Sequence, residues 1–165
     1  MLRKQVIAQP PTHSGTRGKA QAPDTKDIGA LATVLVTSEA EDHPVDNLFD
    51  GRDGRGGTRW VASVDGEQTL ILAFDTPQTI REVSLETEEL DTSRTQVLTL
   101  SLSRDGGSTY REVLRQEFTF SPPGTTFERE VWSVPAEDVT HLRVVIQPDK
   151  GHAACRATLT SLVVR

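Results

Sequence analysis

Leu98, Leu100 and Leu102 alternate with Val97, Thr99, Ser101 and Ser103, and this two-residue period narrows the possible folds more than any other feature. Successive side chains of a strand point to opposite faces, so the three leucines form one apolar face and the hydroxyl residues the other. The same period puts Val83 and Leu85 opposite Glu82, Ser84 and Glu86. In the last segment, Leu159, Ser161 and Val163 oppose Thr160, Leu162 and Val164, which predicts a strand buried on both faces. Eight runs rich in Val, Leu, Ile, Thr and Phe are predicted as strands: Ala32–Thr37, Thr69–Phe74, Ile80–Glu86, Gln96–Ser103, Tyr110–Phe120, Thr126–Val134, Leu142–Gln147 and Thr158–Val164. Gly, Asp and Pro clusters separate them. No long 3.6-residue stripe occurs, and Val45–Phe49 makes at most one helical turn. Strands without strand-helix alternation predict an all-β fold, an eight-stranded antiparallel β-sandwich or jelly roll.

Residues 1–27 differ in character. Pro10, Pro11, Pro23, Ser14, Gly15 and Gly18 occur without apolar periodicity, which predicts a flexible N-terminal tail ahead of one domain at 28–165. Arg3, Lys4, Arg17, Lys19 and Lys26 against Asp24 and Asp27 make this tail basic, although the whole chain carries a net charge of −6. That overall charge argues against a general nucleic-acid or anionic-membrane binder. No apolar run is long enough to span a bilayer. Val6-Ile7-Ala8 falls short of the roughly 7 to 15 apolar residues of a signal peptide, so the expected location is cytoplasmic. A single cysteine, Cys155, rules out an intrachain disulfide and a Cys-based zinc site, and is expected to be a small buried residue. His13, His43, His141 and His152 are dispersed, and neither a nucleophile elbow nor a phosphate loop is present. Binding is therefore expected and catalysis is not. Glu86, Glu88, Glu89 and Asp91 are expected to form a solvated acidic edge.

Residues 45–60, Val-Asp-Asn-Leu-Phe-Asp-Gly-Arg-Asp-Gly-Arg-Gly-Gly-Thr-Arg-Trp, resemble the early loop of discoidin domains, the coagulation factor V/VIII type C family. Asn47, Asp50-Gly51 and Thr58-Arg59-Trp60 carry the likeness. Thr69–Phe74, Ile80–Leu85, the Val97–Ser103 strand with its Arg104–Tyr110 hairpin, Arg143 and the Ala157–Val164 strand extend it over about residues 29–165. The resemblance implies a galactose-binding-like jelly roll, a fold used for sugar, lipid and protein recognition. The cysteine pair of the clotting-factor domains is missing, the Asp50–Thr58 loop is longer than usual, and no apolar spikes stand at loop tips. Lipid binding by that subgroup's mechanism is therefore not expected.

The resemblance also implies sites. Similar domains place a structural calcium ion in the early loop, which here gives Asp50, Thr58 and, through the longer loop, Asp53 as ligands. The acidic ligand often supplied by the last strand falls near Thr160-Ser161, and Asp-Gly turns closed by Asx hydrogen bonds are the alternative for this loop. Sugar-binding relatives hold their ligand among the loops at one end of the sandwich, where this chain offers His43, Arg59, Arg94 and His152, with Glu88, Glu89, Asp91 and Arg156 beside them. Arginine and histidine grip vicinal hydroxyls, and an aromatic ring normally lies under the sugar. The Lys150–Arg156 loop has no such ring. The expected function is non-catalytic carbohydrate binding, with an intracellular protein-interaction module as the alternative. Ser103-Arg-Asp105-Gly-Gly-Ser-Thr109-Tyr110 also fits a structural turn pattern in which Asp105 accepts turn hydrogen bonds.

Overall fold

Alternating side chains build nine strands among the described residues, which are 2–7 and 24–165 of this computed structural model. In chain order they are β1 (Arg3–Val6), β2 (Ala32–Val36), β3 (Trp60–Asp65), β4 (Gln68–Glu88), β5 (Arg94–Ser103), β6 (Arg111–Phe120), β7 (Phe127–Gln147), β8 (Arg156–Leu159) and β9 (Ser161–Val164). A one-turn helix α1 (Ile28–Leu31) and a 3-10 turn at Val45–Phe49 are the only helical pieces among them. One sheet runs β1-β2-β4-β7-β5-β6 with β9 also on β4, and a second pairs β3 with β8. All pairs are antiparallel except β1 with β2. No helix of the described residues is long and apolar enough to cross a membrane.

The two 21-residue strands β4 and β7 fold the sheet onto itself. Residues 70–74 of β4 pair with β2 and 68–73 with 141–146 of β7, whereas 82–88 pair with 127–133 of β7, and 83–86 also with β9. Register shifts between Ala73 and Glu82 mark the bend. Pro77 lies in that interval, where its missing N–H costs no ladder bond. The sequence pattern divides each of these strands in two, because Asp75-Thr76-Pro77 and Pro135 read as turns; the chain instead bends and keeps pairing.

Between the resulting layers lies one apolar cluster, with Leu70, Leu72, Leu98, Leu100, Leu142 and Ile146 on one side and Trp60, Val83, Leu85, Leu159 and Leu162 on the other. Leu98, Leu100 and Leu102 are buried, as their alternation predicts. The Gln96 amide crosses the core, donating to the Thr158 carbonyl (2.9 Å) and accepting from the Thr158 N–H (3.3 Å), so a buried polar group is paired. β8 and β9 lie between β3 and β4 and are buried from Ala157 to Leu162.

Three expectations are corrected here. Arg3–Val6 is a strand and not tail: it runs parallel to β2, with Lys4 paired to Glu39 and Asp46, and Leu2 and Val6 packed on the core. Asp27 caps α1 by accepting from the Ala30 N–H (3.2 Å). Trp60–Asp65 is an additional strand, and the last predicted strand divides into β8 and β9. The Pro- and Gly-containing stretch 8–23, with Pro10, His13, Arg17, Lys19 and Pro23, lies outside the described residues.

Candidate functional site

The 3-10 turn at Val45–Phe49 delivers Asp50 to the start of the glycine-rich loop. Asp50 Oδ1 accepts from the Arg52 N–H (2.9 Å), an Asx turn, and Oδ2 accepts from the Thr58 hydroxyl (2.6 Å). The Thr58 hydroxyl also lies 3.4 Å from the Asn47 carbonyl and 3.5 Å from that of Arg52. Three oxygens therefore lie within 3.5 Å of the Thr58 hydroxyl. Asp53 is exposed and lines, with Asp50, Thr160 and Ser161, a cleft of about 180 Å³. Beyond it the loop turns its backbone N–H groups inward: Gly54 donates to Glu86 Oε2 (2.8 Å) and Gly56 to Glu88 Oε2 (2.7 Å). Both glycines have positive φ, 80° and 72°, a conformation that a side chain would strain. At Gly57 a Cβ would stand 2.2 Å from the Arg52 carbonyl oxygen, so no other residue fits.

Glu86, Glu88 and Glu89 are thus not a solvated edge. Their exposures are 3%, 8% and 9%: the early loop supplies the donors that buried Glu86 and Glu88 require, and Arg94 with the Asp91 and Thr92 N–H groups supplies those of Glu89. Arg129 approaches Glu86 at 3.5 Å. Asp91 alone of the four is exposed.

At the end where β5 begins and β7 stops, the predicted ligand residues receive unequal places. Arg94 is 7% exposed and faces inward. It donates to Glu89 Oε2 (2.7 Å) and to the carbonyls of Arg156 (2.7 Å) and Pro148 (3.2 Å), so its guanidinium ties three chain segments together. Arg59 is half-buried, with Nη1 3.5 Å from the Glu88 carbonyl. His43 Nδ1 lies 3.0 Å from Asp42 Oδ1. Asp42 is held below the usual carboxylate range, first by that hydrogen bond. The His43 carbonyl accepts from the Val61 N–H (3.1 Å), and Val61 pairs with Thr158 of β8, which brings this loop toward the strand that Arg156 begins. His152 stands exposed at a positive φ of 61°, with Nδ1 3.1 Å from Gln147 Nε2. The Asp149 carboxylate orders its loop by accepting from Ala153 (3.1 Å) and Thr95 (3.2 Å) N–H groups. Cys155 is half-buried in this loop and not in the core, with Sγ 3.6 Å from Arg94 Nη1.

No family model matches the sequence, and no curated protein matches it. Solved structures do match. A family 32 carbohydrate-binding module of C. perfringens NanJ, solved with galactose, aligns with a TM-score of 0.58 at 15% identity over 85% of this chain and 96% of its own. A second such module, from a Clostridium perfringens family 31 glycoside hydrolase, gives a TM-score of 0.62 at 16% identity over 85% and 93%. The corresponding module of AlyQ, solved with 4,5-unsaturated mannuronic acid, gives 0.55 at 20% identity over 82% and 95%. The fold is that of the family 32 carbohydrate-binding modules. It is the galactose-binding-like, discoidin-type jelly roll.

Within this jelly roll, sequence reasoning missed Glu86 and Glu88 as the anchors of the early loop. No local signal could have found them: the two-residue period puts Glu82, Ser84, Glu86 and Glu88 on the face of β4 opposite Val83 and Leu85, which reads as solvated, and their donors lie 32 residues away.

The β5–β6 hairpin follows its predicted turn chemistry. Asp105 accepts from the Thr109 hydroxyl (2.6 Å), the Thr109 N–H (2.9 Å) and the Ser103 hydroxyl (2.7 Å). These bonds, the Thr109 hydroxyl foremost, hold its carboxyl down to about 2 from the ordinary 3.8. A depressed folded-state value means that the hairpin bonding contributes fully above the ordinary range and is lost as pH falls through about 2. A carboxyl-carbon NMR titration is expected to show this midpoint, and Thr109→Val to raise it toward 3.8; an unchanged midpoint in the variant would refute the assignment.

Proposed function

We propose that this chain is a non-catalytic carbohydrate-binding module whose sugar sits among the loops carrying Asp42, His43, His152 and Arg156. The observation that carries this reading is the fold, shared with modules solved with galactose and with 4,5-unsaturated mannuronic acid. The local chemistry supports it. With Nδ1 turned to Asp42, the His43 ring of a neutral imidazole keeps Nε2 free to accept from a sugar hydroxyl. The exposed Arg156 guanidinium, at the start of β8, offers paired donors to vicinal oxygens. Arg94, from below, fixes the Arg156 backbone. No aromatic ring joins these groups, so binding at this end is weak.

A calcium ion in the early loop belongs to the same proposal. Asp50 Oδ2, Thr58 Oγ1 and the carbonyls of Asn47 and Arg52 form an all-oxygen set that suits a hard cation. Four donors fall short of the roughly six to eight that calcium takes, so water completes the shell and affinity is low. Asp53, on the same cleft, adds negative charge.

One thermal-shift plate tests both sites, because a ligand of the folded state raises the melting temperature. Millimolar calcium is expected to raise it in the wild type and not in Asp50→Ala. Galactose and N-acetylgalactosamine are expected to raise it further, and Arg156→Ala to abolish that second rise. Failure of every neutral and acidic monosaccharide to shift the melting temperature or any His43 or His152 resonance would sink the sugar reading.

A further inference from the structure

The flank of the sandwich opposite β9 is open. β6 ends its sheet, and residues 127–133 of β7 pair only with β4 among the described residues. Two unpaired strand edges, one from each layer, therefore face the same side. Between them lies a groove of about 720 Å³, within the size range of small-molecule sites and much larger than the cleft at the early loop. Two features of the chain hold it open. Val113 is an extra residue in β6, between the pairs Leu100↔Leu114 and Ser101↔Glu112, and this bulge turns the strand end outward. The Asp105 hydrogen bonds fix the hairpin that carries Arg104, Tyr110 and Arg111 to the rim.

The lining has a distinct chemistry. Trp132 pairs across the ladder with the buried Val83, so it lies on the inner face of its layer, half-buried against the core and lining the groove. Trp60, the other tryptophan, is fully buried. Tyr110 completes the aromatic part of the wall, and the Arg143 guanidinium stacks 4.0 Å from its ring centroid, which immobilises it. Arg104, Arg111, Asp105 and Glu112 supply the polar part, and their charges cancel.

We propose that this groove binds a neutral oligosaccharide, with Trp132 as the platform under one sugar ring and Arg104 and Arg111 as partners for its hydroxyls. An aromatic face beside hydrogen-bond donors is the combination that the loop end lacks. A charge-balanced lining gives an acidic glycan no advantage over a neutral one, and the net charge of −6 opposes it. The open groove admits a chain running on in either direction. The inference rests on the carbohydrate reading of the fold and adds to it a second, separate surface.

The test is an amide and indole NMR map of the full chain titrated with cellotetraose, mannotetraose and β-1,4-galactotetraose, with trigalacturonate as the charged control. Neutral tetraoses are expected to move the Trp132 indole N–H and the Arg111 and Glu112 amides, more strongly than the matching monosaccharides do. Trp132→Ala is expected to weaken this binding by about tenfold or more. Arg111→Ala, at an exposed position, gives the same answer should the tryptophan variant fail to fold. Shifts confined to His43 and His152 would overturn the groove and leave the loop-end site standing; shifts nowhere would overturn both. A response to trigalacturonate alone overturns the neutral class. Shifts at Trp132 on simple dilution would identify a second copy of the chain as the occupant, and overturn the proposal as well.

Discussion

Arg94→Ala is expected to destabilise the domain by about 3–5 kcal/mol, the range for removing one partner of a buried ion pair, and to lower its melting temperature by roughly 10 °C. The side chains of Arg94 and Glu89 are 3% and 12% exposed and meet at 2.7 Å. Deleting the guanidinium leaves the Glu89 carboxylate without its counter-charge and frees the carbonyls of Pro148 and Arg156. Glu89 also accepts from the Asp91 and Thr92 N–H groups (3.0 and 2.9 Å), so it cannot simply turn to solvent without releasing the β4–β5 turn. Chemical denaturation of Arg94→Ala, Glu89→Ala and the double variant checks this. The double variant is expected to be more stable than the sum of the two singles predicts, since it removes the stranded charge. Additive losses, or a loss under about 1 kcal/mol for Arg94→Ala, would mean that the pair behaves as a surface ion pair and that Arg94 is free to serve a ligand.

The second large effect is expected at the early loop. Glu86→Ala combined with Glu88→Ala removes two charge-assisted bonds to the Gly54 and Gly56 N–H groups, each worth about 1.5–3 kcal/mol. The pair is expected to cost about 3 kcal/mol or more, and to detach the loop ahead of global unfolding. Trypsin reads this directly, because Arg52 and Arg55 are exposed within the loop. The wild type is expected to resist cleavage there while the double variant is cut under native conditions. The calcium response is expected to fall in the same variant, since the loop that positions Asp50 and Thr58 is no longer anchored. Equal cleavage of both proteins would show that the carboxylates do not order the loop.

The contrast between these two places and the strands explains what could be read in advance. The leucine face of β5 was legible because strand alternation is local: neighbouring residues define both faces, and any sheet that buries one face must bury Leu98, Leu100 and Leu102 together. The burial of β8 and β9 was legible for the same reason. Asp105 was legible because its partners, Ser103 and Thr109, lie within four residues. Glu86 and Glu88 were not, since their donors lie 32 residues away in the chain; by themselves, carboxylates at a strand end read as solvated. Arg94 was named as a ligand residue because it precedes the Gln96 strand where the resembled family commonly has an arginine, a position that reads as a loop side chain. Only the approach of Glu89, Pro148 and Arg156 from three directions makes it internal.

The bend of β4 shows the same division. Asp75-Thr76-Pro77 has the composition of a turn, and composition cannot tell a reversal from a bend, because both need a residue without a ladder N–H. Pairing with β7 on either side of the bend decides in favour of a single strand. Arg3–Val6 is four residues beside a proline-rich stretch, too short to signal a strand, and becomes one because the β2 edge is there to receive it.

The sequence by itself determined an all-β sandwich, its core face and its hairpin turns, since period, propensity and short-range hydrogen bonds act between neighbours in the chain. Tertiary structure alone decided which charges are buried, which loop end keeps an exposed histidine and arginine, and that Trp132 and Tyr110 line one groove. Those outcomes depend on segments distant in sequence meeting in space, and on the partner groups that each brings to the other.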